Sequence, residues 1–149
     1  MNRLRSMLFP PLPSSRASLG LLVLRAVAGG AMMTHGWGKI QDPFHWMDQA
    51  PNHPPAIFQA LAAVAEFFGG LGLIVGALTV IASFGVLSTM VVAINVHVSK
   101  GDPFGKWELA ALYLAIAVAL LFTGPGAYSI DRFLQRRAAG AAAPGARGG

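Results

Sequence analysis

The chain has no cysteine, and only 11% of its 149 residues are charged. Without thiols it cannot by itself exchange disulfides, use a cysteine nucleophile or ligate iron through cysteine. Any redox role must therefore use a bound cofactor or a partner subunit. A soluble domain usually carries about 25% charged residues. The low charge, together with 54% hydrophobic residues, indicates an integral membrane protein.

The central apolar stretch is the strongest membrane signal. No Asp, Glu, Lys or Arg occurs from Phe67 to Ser99, and the apolar pattern begins at Ile57 with Glu66 as its one charge. A helix needs about 20 residues to cross the hydrocarbon core, so residues 57–99 predict a hairpin of two spans. The other predicted spans are about Ser18–Trp37 and Trp107–Phe122. Long runs of Leu, Ala and Val without alternation exclude a barrel, and the predicted fold is an all-α bundle of four transmembrane helices.

The positive charge is concentrated at the two ends of the chain. By the positive-inside rule, arginines that flank the first and fourth spans predict that both termini are cytoplasmic in a multi-pass protein of the inner membrane. These arginines are Arg3, Arg5, Arg16, Arg132, Arg136, Arg137 and Arg147. They are not interleaved with aromatic residues in any binding motif, so the net charge of +5 predicts no nucleic-acid partner.

Composition divides the chain into three parts. Residues 1–17 predict a disordered cytoplasmic leader, residues 18–134 a four-helix membrane domain, and residues 135–149 a disordered tail rich in Ala, Gly and Pro. A cleaved signal peptide is the rival interpretation of the N-terminus, because Ala26-Val27-Ala28 resembles a cleavage site. Arg25, however, interrupts the apolar region just before it.

Proline and glycine mark where the helices begin and end. Pro54-Pro55 predict the start of the second helix, and Gly124-Pro125-Gly126 predict the end of the fourth. The turn inside the central hairpin has no strong breaker and is placed near residues 78–83. Gly72 and Gly76 have the small-xxx-small spacing that brings helices together, and we interpret it as packing rather than as a cavity.

Two charges are predicted inside the membrane, on different helices. Counting about 1.5 Å per residue places Glu66 and Arg25 at heights that differ by only about 5 Å. An unpaired charge in hydrocarbon is costly, so we expect Arg25 and Glu66 to form an ion pair. The alternatives are an arginine that binds carbonyl groups to hold the bundle together, and a protonated Glu66 that donates to a ligand carbonyl or relays a proton.

Four further polar residues are predicted near the outer face. His35 and His97 are expected at similar depth, with Asn95 one turn deeper and Glu108 across the adjacent loop. This polar cup could hydrogen-bond a quinone carbonyl or carry protons near neutral pH. Interfacial histidines bonded to backbone or water are the alternative. No HExxH or Glu-x-x-His spacing occurs, so no metal site is assigned.

Several blocks of this sequence together resemble the DoxX family of small four-helix membrane proteins. The blocks are His35-Gly36-Trp37-Gly38-Lys39, Ala65 to Gly70 with Gly72 and Gly76, Ala93 to His97, and Gly124 to Asp131. The resemblance covers about Leu19 to Leu134. It implies that the family's helix-one Arg, its His-Gly-x-x-Lys element, its helix-two Glu and its helix-three His correspond to Arg25, His35 to Lys39, Glu66 and His97. Namesake relatives are linked to thiosulfate:quinone oxidoreductase, and others associate with redox-stress enzymes.

The resulting hypothesis is a quinone-interacting redox component or a subunit of a membrane oxidoreductase complex. Its assigned catalytic residues are Glu66, His97 and His35, and its assigned cofactor-binding residues are Arg25, Lys39, Asn95 and Glu108. The cofactor is a quinone, with no covalent cofactor. The expected partners are the lipid bilayer and a protein of the redox complex, and a second copy of the chain is left open. A non-catalytic scaffold or assembly factor is the alternative, whereas a carrier is disfavoured because no discontinuous helices or repeats are visible.

Overall fold

A computed structural model of the protein describes residues 14–50 and 53–141. Its helices are α1 (Ser15–Gln41), α2 (Ala56–Val75), α3 (Thr79–Ser99), α4 (Glu108–Thr123) and α5 (Ile130–Ala141). A short 3-10 turn at Phe104–Lys106 precedes α4. The described ranges contain no strand, and the predicted all-α bundle is confirmed.

The first four helices run up and down and pack mainly on their neighbours in sequence, α1 on α2, α2 on α3 and α3 on α4. The bundle therefore has two distinct ends. At the loop end, residues 42–50 and 53–55 join α1 to α2, and residues 100–107 join α3 to α4. At the terminal end lie the start of α1, the turn 76–78 and the segment 124–129 that leads into α5.

Three described helices, α1, α2 and α3, are long and apolar enough to cross a membrane. The fourth predicted span is found as α4, an apolar helix of only 16 residues. A small buried core lies between the helices and includes Met32, Leu73, Val86 and Leu120. Large apolar side chains such as Phe84 and Phe122 point outward and are 62% and 79% exposed. This outward apolar surface is what a bilayer covers.

Glycines set the close approach of α1 and α2. A Cβ atom on Gly29 would lie 2.5 Å from the Gly70 carbonyl oxygen, and one on Gly36 would lie 2.6 Å from the Phe67 nitrogen. No larger residue fits at these positions without moving a backbone. Packing of α1 on α2 is thus the role of Gly29, Gly36 and Gly70. Of the predicted Gly72/Gly76 pair, Gly72 packs toward α3, with its Cβ position 3.4 Å from the Ala82 Cβ atom. Gly76 instead ends α2 in a left-handed conformation with φ 68°, which glycine adopts at little cost.

The turn between α2 and α3 is shorter and earlier than predicted. It comprises residues 76–78 rather than 78–83, because Gly76 ends α2 two residues before the predicted start of the turn. Leu78 takes a positive φ of 49°, which is uncommon for a branched side chain. Two other boundaries are confirmed, since Pro55 is the N-cap of α2 and Gly124 is the C-cap of α4.

Both ends of the membrane domain are longer than predicted. The α1 helix begins at Ser15, inside the predicted leader, because Ser14 caps it by accepting a 3.3 Å hydrogen bond from the Ala17 amide. The α5 helix continues to Ala141, inside the predicted tail. Residues 1–13 and 142–149, on which the remaining disorder predictions fall, lie outside the described residues.

Candidate functional site

The loop end contains a nearly buried ion pair between α1 and α2. The Lys39 ammonium nitrogen lies 2.5 and 2.6 Å from the two carboxylate oxygens of Glu66. The Glu66 side chain is only 3% exposed, whereas that of Lys39 is 26% exposed. The pair thus links a protected carboxylate to a group that solvent or a ligand can reach.

The direction of helical side chains explains why Lys39 reaches Glu66. Side chains lean toward the N-terminus of their own helix. Because α1 and α2 are antiparallel, Lys39 leans away from the loop end and Glu66 leans toward it. Gly36, one turn before Lys39, brings the two helices together, since its backbone lies against the Glu66 and Phe67 backbone.

The loop between α1 and α2 covers this pair and is held by a buried amide. Gln59, only 1% exposed, accepts from the Met47 amide at 2.9 Å and donates to Asp48 at 2.9 Å and to the Pro54 carbonyl at 3.1 Å. The Trp46 indole donates to the Gln59 carbonyl at 3.0 Å. Its ring lies 4.5 Å from the Lys39 ammonium, a favourable cation–π contact.

Arg25 does not pair with Glu66, so the predicted Arg25–Glu66 ion pair is wrong. The guanidinium is fully buried and donates to the Leu73 carbonyl at 3.0 Å and to the Tyr128 carbonyl at 2.5 Å. It also lies against Gly76, where a Cβ atom would overlap it. The alternative, an arginine that binds carbonyls and holds the bundle together, is what the structure shows.

Two geometric errors account for the wrong pair. The height estimate placed Arg25 within about 5 Å of the height of Glu66, yet the start of α1 extends beyond the end of α2, to where the Ser18 hydroxyl accepts from the Ala127 amide at 3.2 Å. Arg25 itself is level with that end. Leu73, its partner, is seven residues from Glu66, or about 10 Å along the helix. Both side chains also lean away from each other.

Asp131 completes the structure of the terminal end. Its carboxylate accepts from the Leu78 and Thr79 amides at 2.8 and 2.9 Å, and so caps the start of α3. Its own amide donates to the Gly76 carbonyl at 2.9 Å. These bonds hold Leu78 in its conformation with positive φ.

His97 and Asn95 lie near the loop end of α3 and have local partners. The His97 ring nitrogen is 2.7 Å from an Asp102 carboxylate oxygen, and the Asp102 amide donates to the His97 carbonyl at 3.1 Å. The amide oxygen of Asn95 accepts from the Ser99 hydroxyl at 3.1 Å. The Asp102 carboxylate thus fixes the orientation of the His97 ring.

His35 and Glu108 are also at the loop end, and both are exposed. The His35 ring packs edge-on against the buried Tyr113 of α4, with ring centroids 6.1 Å apart. Among the described residues, no hydrogen bond or ion pair joins His35, His97, Asn95 or Glu108 to the Lys39–Glu66 pair. The predicted polar cup therefore stays a prediction, with its members at the expected end of the bundle.

The sequence did not reveal the roles of Gln59, Trp46 and Tyr113. The role of Gln59 could have been inferred from the sequence, since it is the only uncharged hydrogen-bonding side chain in the first two turns of α2. A lone amide in an apolar helix needs a polar partner when it is buried. In residues 14–50 and 53–141, no group of three or more His, Cys, Asp or Glu side chains could hold a metal ion.

The fold and this intramembrane ion pair define a helical integral membrane protein. Comparison with known proteins gives the family. The DoxX family model matches residues 20–99, more than half of the chain, so the protein belongs to the DoxX family. It is also similar to the "Inner membrane protein YqjF" of Escherichia coli (strain K12), with 30% identity over 129 residues that cover 80% of this chain and 95% of the relative. No solved structure matches.

Proposed function

We propose that this protein binds a quinone at the loop end and exchanges protons with it through Lys39 and Glu66, as a component of a membrane oxidoreductase. The observation that carries the proposal is the pair itself, in which a carboxylate 3% exposed is bonded to an ammonium 26% exposed. Ionisable side chains inside a membrane bundle are costly and by default mark functional sites.

The residues around the pair fit the chemistry of a quinone. A quinone has two carbonyl oxygens that accept hydrogen bonds, and Lys39 has three N–H donors of which Glu66 uses two. The rings of Trp37 and Phe67 pack with centroids 5.6 Å apart and offer apolar surface beside Glu66. When bound, the quinone accepts two electrons and two protons and becomes a quinol.

The pair can handle the protons of this exchange. Lys39 donates a hydrogen bond to a carbonyl oxygen, and Glu66 holds or releases a proton next to it in a medium where charge–charge interactions are strong. His97, oriented by Asp102, and His35 are proposed to pass protons between this pair and the outer water. Asn95 and Glu108 are proposed to bind the ligand from α3 and α4.

The electrons are proposed to come from, or pass to, a partner protein in the same membrane. Four spans in the inner membrane, with the terminal end and both termini in the cytoplasm, are part of this proposal. The charges that support this orientation are described arginines at the terminal end, Arg16, Arg132, Arg136 and Arg137.

A scaffold or assembly factor without catalysis is the second candidate. It is favoured by one specific observation: within the described part of the chain, Glu66, His97 and His35 have separate neighbours and do not form one connected catalytic set. In that case the Lys39–Glu66 pair holds α1 against α2, and the protein acts through a stoichiometric partner or as a homo-oligomer.

The test is purification in a mild detergent, followed by organic extraction and mass spectrometry for quinone. We expect stoichiometric quinone with the wild type, its loss from Glu66→Gln and Lys39→Met, and its retention by Asp42→Asn, which removes an exposed carboxylate at the same end. A well-folded wild-type preparation that carries no quinone but retains a stoichiometric protein partner would replace the redox proposal with the scaffold.

A further inference from the structure

The last described helix, α5, has an exposed apolar side and a basic side. Ile130, Phe133 and Leu134 are 44%, 55% and 56% exposed. At about 100° per residue these three side chains share one side of the helix, and Arg132 and Arg136 fall on the other. Such a distribution is typical of helices that lie in a membrane interface.

The start of α5 is fixed at the level where two spanning helices end. Asp131, in its first turn, bonds the Gly76 carbonyl and the Leu78 and Thr79 amides in the turn between α2 and α3. Ser129 caps the helix by accepting from the Arg132 amide at 3.2 Å. Because α2 and α3 are long and apolar enough to cross a membrane, α5 leaves the bundle where hydrocarbon gives way to headgroups.

The arginines of α5 have no carboxylate partner among the described residues. The Arg132 guanidinium donates to the Gln135 side chain at 2.8 Å, and that of Arg137 lies 4.9 Å from the centre of the Phe133 ring. Asp131 is the one acidic residue in the described part of the terminal end, and its carboxylate already accepts hydrogen bonds from the Leu78 and Thr79 amides. Within residues 14–50 and 53–141, no carboxylate therefore balances the charge of these arginines.

We propose that α5 lies flat in the membrane interface and binds anionic phospholipid headgroups. Ile130, Phe133 and Leu134 enter the acyl-chain region, while Arg132 and Arg136 bind headgroup phosphates, for which the guanidinium fork is well suited. Arg137 falls within the apolar side, between Phe133 and Ile130 at about 100° per residue, and reaches the phosphates by extending along the Phe133 ring. An anionic membrane interface thus accounts for both the apolar side and the arginines of α5.

The test uses the absence of native cysteine. Full-length Phe133→Cys and Ala139→Cys variants, each with a nitroxide label, are placed in nanodiscs of phosphatidylcholine with or without phosphatidylglycerol. Ala139 falls opposite the apolar side at about 100° per residue. With phosphatidylglycerol present, we expect the label at 133 to be accessible to oxygen and shielded from a water-soluble nickel chelate. The label at 139 should remain accessible to nickel.

Charge removal measures the contribution of the headgroups. The labelled Phe133→Cys protein is then combined with Arg132→Gln, Arg136→Gln and Arg137→Gln. Each substitution should weaken membrane insertion of α5 by about fivefold. The measured quantity is the phosphatidylglycerol content at which half of the label is inserted, and it should rise. The matched control, Lys100→Gln with Lys106→Gln at the loop end, should change nothing. Equal nickel access at 133 and 139 in both lipids overturns the proposal. Shielding of residue 133 from both oxygen and nickel also overturns it, because protein would then cover the apolar side.

Discussion

The two ends of the bundle both contain charged side chains, but the charges are satisfied by different groups. At the loop end, ionisable side chains pair with each other, as Lys39 does with Glu66 and His97 with Asp102. At the terminal end, the partners are backbone groups. Arg25 donates to two carbonyls, and Asp131 accepts from two amides.

This difference separates groups that can change state from groups that cannot. A backbone amide or carbonyl does not titrate, and an arginine stays protonated in proteins, so the contacts of Arg25 with the Leu73 and Tyr128 carbonyls do not change with protonation. A pair of ionisable side chains can lose or gain a proton and release its partner. The terminal end therefore holds the helices together, and the loop end is where the proposed proton exchange would take place.

The largest expected effect is the loss of Arg25. Arg25→Met leaves the Leu73 and Tyr128 carbonyls without their buried, charged donor, so we expect a loss of about 3–5 kcal/mol of stability. Reversible unfolding in mixed micelles measures it. The exposed Arg16 provides the matched control as Arg16→Met, and equal stability of the two variants would remove the structural role assigned to the terminal end.

A second prediction concerns coupling within the Lys39–Glu66 pair. Lys39→Met and Glu66→Leu should each destabilise the protein by about 2–3 kcal/mol, because each leaves a charge with no partner in an apolar setting. The double variant should be more stable than either single one. No such rescue exists for Arg25, whose partners are backbone. Additive effects of Lys39→Met and Glu66→Leu would show that the two side chains act independently.

A smaller effect is expected from the helix contact that positions this pair. In Gly36→Ala, the new Cβ atom would lie 2.6 Å from the Phe67 nitrogen, whereas in Gly38→Ala nothing lies within 4 Å. Gly36→Ala should cost about 1–3 kcal/mol by forcing the helices apart. Gly38→Ala should be neutral or slightly stabilising, because alanine favours helix. Thermal unfolding of both variants makes the comparison, and equal Tm values would contradict the close packing at Gly36.

The smallest effect is local to the exposed loop. The Asp42 carboxylate, 3.0 Å from the His45 ring nitrogen, raises the pKa of His45 above its ordinary value of 6.5. Because the pKa is raised, the contact is fully formed below the unfolded pKa and is lost as pH rises through the folded one. Histidine NMR titration should show a lower pKa for His45 in Asp42→Asn. An unchanged pKa would mean that the hydrogen bond does not persist in solution.

The fold was largely predictable because few physical constraints determine it. The charge-free stretch from Phe67 to Ser99 is too long for one span and requires a hairpin, and backbone satisfaction in lipid requires helices. Helix ends marked by proline or glycine, at Pro55 and Gly124, were placed correctly. The turn at residues 76–78 was missed because one glycine can serve either packing or a left-handed cap, and the choice depends on Arg25 beside it.

The candidate site was less predictable because ion pairs depend on register and direction. Sequence depth alone placed Glu66 near Arg25, but the contact of Gly36 with the Glu66–Phe67 backbone sets the register and brings Lys39 to the carboxylate instead. Long-range bonds such as those from Asp131 to the turn at Leu78 have no local sequence pattern. Such contacts between distant parts of the chain require the assembled bundle.

The length of α4 affects the membrane around the protein. Its 16 residues span about 24 Å at 1.5 Å per residue, whereas a typical hydrocarbon core is about 30 Å thick. The α1 helix, with 27 residues, is long enough to span the whole hydrocarbon core, so the lipid beside it can keep its full thickness. In a four-span arrangement this asymmetric hydrophobic mismatch thins the bilayer on one flank only. Because the elastic cost of that thinning is lower where the bilayer is already thin, such an arrangement would be accommodated best in a thinner membrane region.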